Sequence, residues 1–312
     1  MFKGFWKRVA KYRIAYLFIL PTVIGMLLLH VVPIFQGIYM SFLDLNQFTI
    51  NQYLGAPFVG FRNFYDVLIN DRSPIRLGLF EATRNTIIYT IVVTFGTLFL
   101  GLIVALMVNR EFKAKGLVRT LFLFPWVVPT YVTGILWGFM WQKEVGIINI
   151  LMHDIFHIFP DKPFWLIGSN TLWAIIIPTI WRYWPFTMLL LLAGLQQIPE
   201  ELYEAADIDG ASSWRKFWMI TWPLLKPVWA LSILFGLIYN VYGFNIVIMM
   251  FGFGAGFPGE WGDILMTNIF RNAFMQWNFG MGAAISVLLM ITMIIIVNAW
   301  FYYYRKAEEN RG

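Results

Sequence analysis

Six long runs of predominantly apolar residues constrain the fold more than any other feature of this sequence. Each run has about 20 residues or more, which is enough for an α-helix to cross the hydrocarbon core of a bilayer. Because a helix satisfies its own backbone polar groups in lipid, we expect an all-α integral membrane protein with a single transmembrane domain over residues 1–312. The predicted helices cover approximately residues 14–40, 86–108, 117–140, 171–195, 228–250 and 281–304.

The composition also favours a membrane protein over a soluble domain. Hydrophobic residues make up 59% of the chain and charged residues only 13%, whereas soluble domains carry about 25% charged residues. Cysteine is absent, which excludes disulfides, thiolate zinc sites and cysteine nucleophiles. The function must therefore be sought among membrane proteins that do not use cysteine chemistry.

The distribution of Lys and Arg between the predicted loops indicates the orientation in the membrane. With the N-terminus on the cytoplasmic side, 15 basic residues lie in cytoplasmic segments and 7 in outer segments. Cytoplasmic loops of membrane proteins carry an excess of Lys and Arg, so we expect both termini to be cytoplasmic. Lys3, Lys7, Arg8 and Arg311 contribute to this bias. The segment 200–227, between the fourth and fifth predicted helices, is then cytoplasmic as well.

This segment, which we call the coupling segment (residues 200–227), is acidic in its first half and stands between two apolar runs. Pro199 and the carboxylates that follow it predict a short helix, because Pro and acidic residues favour the first turn. Gly210 is expected to end that helix, and Ser212 or Ser213 to cap a second one. From these residues alone, the segment could equally be an amphipathic connection that only joins two helices.

A longer pattern in the coupling segment resembles the EAA loop of ATP-binding-cassette (ABC) importer permeases. The pattern consists of Glu204-Ala205-Ala206, Gly210, Ile220 and Pro223, with Trp222 where the family usually has Leu. The stretch 116–141 is similar to the third helix of carbohydrate importer permeases of the maltose and glycerol-phosphate type, and 181–212 to their fourth helix running into the loop. The resemblance therefore extends over nearly the whole chain.

The resemblance implies a type I ABC importer permease fold and a set of partners. A permease of this kind works with a second homologous permease, two ATPase subunits and an extracytoplasmic solute-binding protein, in the cytoplasmic membrane of a bacterium or archaeon. ATP and Mg²⁺ are then bound by the ATPase subunits, and this chain carries no cofactor. The resemblance also implies that the coupling segment docks on an ATPase through Glu204, Ala205, Ala206, Asp207 and Gly210.

Several catalytic and binding patterns are missing from the sequence. It contains no G-x-x-x-x-G-K-[ST] motif to hold ATP phosphates, so we expect a permease rather than an enzyme. His153 and His157 are four residues apart but lack a third ligand, and we interpret them as part of an outer loop. The Gly-rich stretch 251–262 is interpreted as an external loop. The basic clusters are topology signals, and we expect contact with lipid but no nucleic-acid partner.

Five residues are candidates for a substrate path. A charge inside a spanning helix is a functional hypothesis, and Arg182 is such a charge, although it could instead snorkel or pair at a subunit interface. Tyr239 and Asn240 align with an aromatic–Asn pair that contacts sugar in maltose-type permeases. Phe186 stands where that family has a sugar-contacting Tyr, and Tyr183 where it has Gly. Aromatic faces and amides suit a carbohydrate, but each residue could also serve helix packing.

The sequence therefore predicts a permease subunit of an ATP-driven importer for a sugar or oligosaccharide. A secondary transporter or channel that works without an ATPase is the alternative, and it would require an inverted repeat or paired intramembrane charges. A membrane-embedded enzyme would need a polar catalytic set that Arg182 alone does not supply. The outer segment 41–84 is expected to contact the solute-binding protein, although it could be a simple loop between helices.

Overall fold

A computed structural model describes residues 11–252 and 257–309 of the chain. Lys3, Lys7, Arg8 and Arg311, together with residues 253–256 of the Gly-rich stretch, lie outside the described residues. In the described ranges the regular structure is helical, and the one β-bridge, between Leu43 and Phe58, is isolated. The all-α prediction agrees with this architecture.

The chain divides into two compact units. The first unit consists of the described parts of Met1–Arg76 and Arg271–Ile291, and the second of those of Leu77–Phe270 and Thr292–Gly312. Helix α1 of the first unit runs over Arg13–Met40 and contains a π-helical turn at Leu27–Val31. It is followed by a short helix, α2, at Arg62–Leu68.

The end of α1 is fixed by hydrogen bonds within the first unit. The side-chain amide of Asn63 donates to the carbonyl oxygens of Ser41 (3.0 Å) and Leu43 (2.9 Å). The backbone N–H of Gly280 donates to the carbonyl of Leu45 at 2.9 Å. A Cβ atom on Gly280 would lie 2.3 Å from the Leu43 oxygen, so the backbone approach requires glycine. The polar backbone after the spanning helix is thereby satisfied.

The third predicted span is wrong as a single helix. After α3 (Pro74–Asn109) the chain forms three shorter helices in place of the helix predicted over 117–140. Val128 is extended (φ −59°, ψ 128°) because a residue that precedes proline, here Pro129, is displaced from the α region. The three helices are α4 (Lys115–Phe122), α5 (Phe124–Val127) and α6 (Thr130–Met140).

The fourth predicted span, 171–195, is confirmed as one continuous helix despite two internal prolines. Helix α7 (Ile147–Asn149) is prolonged by a π-helix to Ile155, and α8 then covers Thr171–Leu195. Pro178 cannot donate to the carbonyl of Ala174, as a residue four positions along a helix normally does. The indole N–H of Trp141 donates to that carbonyl instead, at 3.0 Å. An external donor therefore satisfies the group that the proline leaves free.

The coupling segment and the fifth predicted span form four helices. The fifth span, predicted over 228–250, is wrong as a single helix, because Gly243 is extended (φ −77°, ψ 120°) and separates its two parts. These four helices are α9 (Glu200–Ile208), α10 (Ser213–Leu224), α11 (Lys226–Tyr242) and α12 (Asn245–Met250). The axes of α10 and α11 meet at 63°.

The chain continues with two short helices and a long one. Helices α13 (Gly259–Gly262) and α14 (Leu265–Phe270) precede α15 (Phe279–Glu309). Within residues 11–252 and 257–309, four helices are long and apolar enough to span a membrane, or five if the bent pair of α10 and α11 is one span. The count of six spans therefore stays a prediction. The four are Arg13–Met40, Ile75–Asn109, Gly168–Leu195 and Phe279–Lys306.

Helices α6 and α12 of the second unit pack through glycine. A Cβ atom on Gly134 would lie 2.6 Å from the carbonyl oxygen of Ile246, and one on Gly138 would lie 2.9 Å from that of Met250. Glycines four residues apart on one helix allow such a close backbone approach. The contact fixes α12 against α6 next to a buried cluster of aromatic and aliphatic side chains that includes Trp137.

Candidate functional site

The second unit contains a cavity of about 350 Å³ between helices α3, α5, α8 and α11. Its lining is made of aromatic and aliphatic side chains and a few hydroxyl and amide groups, and none of its lining residues is charged. The aromatic members are Trp126, Tyr183, Phe186, Phe235 and Tyr239, and the polar side chains without a ring are Thr97, Thr187, Ser232 and Asn240.

Two pairs of aromatic rings form part of the cavity lining. The rings of Trp126 and Phe186 stack with their centroids 5.6 Å apart and their planes at 21°. On α11, Phe235 and Tyr239 lie one turn apart, with centroids 6.2 Å from each other. The side chain of Tyr239 is 68% exposed. These surfaces suit a ligand with an apolar face and polar edges.

Two polar side chains of α11 keep hydrogen-bonding capacity at the cavity. The amide of Asn240 donates to Thr94 Oγ1 at 3.0 Å, and its Oδ1 accepts no hydrogen bond from the residues that the structure describes. The hydroxyl of Ser232 is buried and likewise has no partner within the described ranges. Because buried polar groups are normally paired, these two side chains retain unused hydrogen-bonding capacity next to the cavity.

The structure brings together four of the five residues predicted to form the substrate path. Tyr183, Phe186, Tyr239 and Asn240 all line the cavity, whereas Arg182 does not. The Arg182 guanidinium instead donates to the Trp126 carbonyl (2.7 Å) and to Thr130 Oγ1 (2.9 and 3.2 Å).

Sequence reasoning missed eight of the twelve lining residues, among them Trp126, Ser232 and Phe235. Trp126 lies in the sequence Pro125-Trp-Val-Val-Pro129, and two prolines at predicted membrane depth were a signal for irregular backbone beside a cavity. Phe235 and Ser232 lie one and two helical turns before Tyr239 on α11, so extending the face of Tyr239 backwards would have found them.

The coupling segment ends its first helix as predicted. Gly210 adopts a left-handed conformation (φ +70°), its N–H donates to the Asp207 carbonyl (3.0 Å), and the Ala211 N–H donates to the Ala206 carbonyl (2.8 Å). These two bonds form a Schellman motif. The prediction of a serine cap is also confirmed, because the backbone N–H of Arg215 donates to Ser212 Oγ.

Two side-chain contacts join α9 to the following helix. Lys216 Nζ donates to Asp207 Oδ1 at 2.6 Å, and the hydroxyls of Tyr203 and Thr221 are 2.8 Å apart. The opposite face of α9 is open to contact, since Glu204, Ala205 and Gly210 are exposed and Ala206 is half-buried. Ile208, which sequence reasoning did not single out, is 88% exposed. The helix therefore has one face held by contacts within this chain and one face that is largely exposed.

His153 and His157 make local contacts to backbone carbonyls. His153 Nδ1 lies 2.9 Å from the Phe159 oxygen, and His157 Nδ1 lies 2.9 Å from the His153 oxygen. In the part of the chain that the structure describes, no group of three His, Asp or Glu side chains could hold a metal ion.

Comparison with known proteins places this fold and cavity in a family. Residues 97–308 match the family "Binding-protein-dependent transport system inner membrane component", so the chain belongs to that family of ABC transporter permeases. It is 34% identical over 309 residues to the trehalose/maltose transport system permease protein MalF of Thermococcus litoralis, covering 96% of this chain and 97% of the relative. It is 32% identical over 306 residues to the sulfoquinovosyl glycerol transport system permease protein SmoG of Agrobacterium fabrum, covering 97% and 94%.

A solved structure shares the fold. A chain of a bacterial ABC transporter involved in the import of the acidic polysaccharide alginate superposes with a TM-score of 0.81 at 21% identity, covering 97% of this chain and 99% of that one. The predicted permease fold and resemblance are confirmed. This chain is a non-catalytic membrane component of a binding-protein-dependent ABC transporter.

Proposed function

We propose that this permease passes a sugar or oligosaccharide, and that the solute contacts the cavity between α3, α5, α8 and α11. The observation that carries the proposal is the lining itself. The stacked rings of Trp126 and Phe186 and the tilted rings of Phe235 and Tyr239 line the cavity together with Asn240 and Ser232. Within the described ranges, Asn240 Oδ1 accepts no hydrogen bond and the Ser232 hydroxyl has no partner. Sugar rings combine apolar faces with hydroxyl edges, and this arrangement complements both.

The names of the relatives support a carbohydrate. One relative is named for trehalose and maltose and another for sulfoquinovosyl glycerol. A third, 28% identical over 295 residues, is the sn-glycerol-3-phosphate transport system permease protein UgpA of Agrobacterium fabrum, covering 93% of this chain and 94% of the relative. Tyr183, Phe186, Tyr239 and Asn240 are accordingly proposed as solute contacts.

The assembly is part of the same proposal. The chain pairs with a second homologous permease and two ATPase subunits, which bind ATP and Mg²⁺, and both of its termini are cytoplasmic. The binding protein contacts the outer segment 41–84. The coupling segment docks on an ATPase through the exposed face of α9, where Glu204, Ala205 and Gly210 are open to a partner.

Ile208 adds an apolar contact to the proposed docking face. Its side chain is 88% exposed, although it lies on the same short helix as Tyr203 and Asp207, whose contacts hold that helix to this chain. An exposed isoleucine beside small residues suits a groove in a partner protein. Asp207, which sequence reasoning also assigned to docking, is proposed to contribute mainly through Lys216.

A thiol-protection experiment tests the solute site. The chain has no cysteine, so Leu190→Cys places a single thiol in the cavity lining. In the complete transporter in nanodiscs, maltose, trehalose or glycerol 3-phosphate, delivered by the binding protein, is expected to slow labelling of this thiol. Val145→Cys, 77% exposed and outside the lining, is the control whose labelling stays constant.

The outcomes separate the proposal from its alternatives. If a solute that the transporter imports leaves the Leu190→Cys labelling rate unchanged, the cavity is not part of its path. Solute flux through the purified chain alone would instead favour a channel or secondary carrier.

A further inference from the structure

The proline-containing break between α5 and α6 creates a need for a hydrogen-bond donor. In a continuous helix the Trp126 carbonyl would accept from the N–H of Thr130, four residues on. Val128 and Pro129 are extended (ψ 128° and 141°), so that bond is not formed. Irregular backbone at membrane depth is tolerated only where its polar groups find other partners.

Arg182 supplies this donor from a different helix. Its Nη1 donates to the Trp126 carbonyl at 2.7 Å, while Nε and Nη2 donate to Thr130 Oγ1 at 3.2 and 2.9 Å. One guanidinium thus binds the residue before the break and the residue after it. Its planar, forked donors reach two acceptors at once, which the single ammonium of a lysine does less well.

The groups that contact the charged guanidinium of Arg182 are neutral. The described residues place no carboxylate in an ion pair with Arg182, and its guanidinium carbon lies 5.1 Å from the centre of the Tyr183 ring. The Trp126 carbonyl belongs to the C-terminal end of a helix, where the backbone dipole favours a cation. The carbonyl, the hydroxyl and the ring face therefore account for this charge without an anionic ligand.

We infer that Arg182 is a positioning residue that holds Trp126 in place as a wall of the cavity and does not itself bind the solute. Trp126 stacks on Phe186, and both rings line the cavity, whereas Arg182 does not. This inference rests on the proposed function, because the position of Trp126 affects solute recognition only if the solute contacts the cavity. It assigns Arg182 to solute recognition through Trp126, whatever the charge of the solute.

The acceptor side chain offers a test that leaves Arg182 intact. Thr130→Val keeps the shape of threonine and removes the oxygen that receives two of the guanidinium bonds, whereas Thr130→Ser keeps that oxygen. Arg182→Gln removes the charge and the fork. Each change is made in the Leu190→Cys chain within the complete transporter, and Thr130→Ser is the matched control.

The measurement compares labelling of Leu190→Cys by anionic sulfonatoethyl and cationic trimethylammonioethyl methanethiosulfonate. Arg182→Gln and Thr130→Val are both expected to change labelling by the two reagents by a similar factor, about tenfold when a charged hydrogen bond orders the wall. Thr130→Ser is expected to label as the parent does. The double variant should change no more than the stronger single one, because both substitutions break the same link.

A different pattern would overturn the inference. If Arg182→Gln slows only the anionic reagent while Thr130→Val labels like the parent, the guanidinium acts on the cavity through its charge. Should Arg182→Gln fail to assemble, the comparison of Thr130→Val with Thr130→Ser still decides, because equal labelling contradicts the inference. This readout needs no solute, so it is separate from the protection by maltose, trehalose or glycerol 3-phosphate that tests the proposed function.

Discussion

The side-chain amide of Asn240 donates to Thr94 Oγ1 over 3.0 Å and so joins α11 to α3 at the wall of the cavity. Gly236, one turn earlier on α11, permits this approach, because a Cβ atom there would lie 2.8 Å from Thr94 Oγ1. One face of α11 therefore packs against α3, and the carbonyl of the Asn240 side chain remains available at the cavity.

Thr94→Val and Asn240→Ala are expected to have the same structural effect but different functional effects. Each breaks the hydrogen bond between the helices and should destabilise the complex by about 0.6–1.7 kcal/mol. Only Asn240→Ala also removes the free Oδ1 and should weaken solute protection of Leu190→Cys further. Thermal unfolding and half-protecting solute concentrations are measured for both variants. Equal solute affinities would show that Asn240 serves packing alone.

Substitutions of Gly210 should follow the cost of its backbone conformation. A Cβ atom there meets no other atom within 4 Å, so the left-handed φ of +70° is the only obstacle. Alanine costs about 1–2 kcal/mol in this conformation, whereas asparagine adopts it more readily and proline cannot adopt it. We expect transport to fall in the order Gly, Asn, Ala, Pro in vesicle uptake assays. If the Asn variant transports no better than the Ala variant, the left-handed backbone conformation of Gly210 does not explain the order.

Glu204→Lys is expected to uncouple transport from ATP hydrolysis while the chain still inserts in the membrane. Glu204 is exposed on α9, in the face proposed to meet an ATPase, and charge reversal at an interface opposes docking. ATPase activity is measured with and without loaded binding protein. Glu144→Lys, a reversal in the exposed loop after α6, is the charge-matched control. Parent-like stimulation in Glu204→Lys would exclude this docking role.

Exchanging Asp207 and Lys216 distinguishes an internal contact from a contact with a partner. The pair is 2.6 Å apart, with side-chain exposures of 61% for Asp207 and 21% for Lys216, and such pairs contribute at most about 1 kcal/mol. Asp207→Lys should reduce coupled ATPase activity, and adding Lys216→Asp should restore much of it. If the exchanged pair remains as impaired as Asp207→Lys, the carboxylate acts on another subunit.

The close packing of α6 on α12 should not tolerate a methyl group. In Gly134→Ala the new Cβ would lie 2.6 Å from the Ile246 carbonyl oxygen, and overpacking of this kind costs about 1–3 kcal/mol. Gly116→Ala, on α4, is the control because nothing lies within 4 Å of its Cβ position. Thermal unfolding in detergent is the measurement. Equal unfolding temperatures would mean that the two helices can separate at little cost.

The backbone around Pro178 and Pro129 shows which parts of the fold the sequence could predict and which it could not. Apolar length alone identified α8 correctly, although Pro178 lies inside it, but the same criterion failed at Pro129. The difference lies in where the free carbonyls find donors, which are the Trp141 indole in one case and the Arg182 guanidinium in the other. Both donors are distant in sequence from the carbonyls that they satisfy, so local patterns do not reveal them.

The residues of the candidate site were likewise predictable only where a local pattern or the family resemblance identified them. Tyr239 and Asn240 could be singled out because the sequence resembles a family with an aromatic–Asn pair at this position, and both line the cavity. Gly210 and Ser212 were predictable because caps depend on local conformation. The hydrogen bonds of Arg182 were not predictable, since its acceptors lie 52 and 56 residues away and only tertiary structure brings them to the guanidinium.

The break at Gly243 has a mechanical consequence for transport. It divides the fifth predicted span into α11, which continues from the coupling segment, and α12, which is fixed to α6. In the proposed function, a rotation of α11 about Gly243 would displace Ser232 and Tyr239, and with them one wall of the cavity, while the contact of α12 with α6 is kept. The two parts of the fifth predicted span would then move separately, so that one end of the cavity could open while the other stays closed.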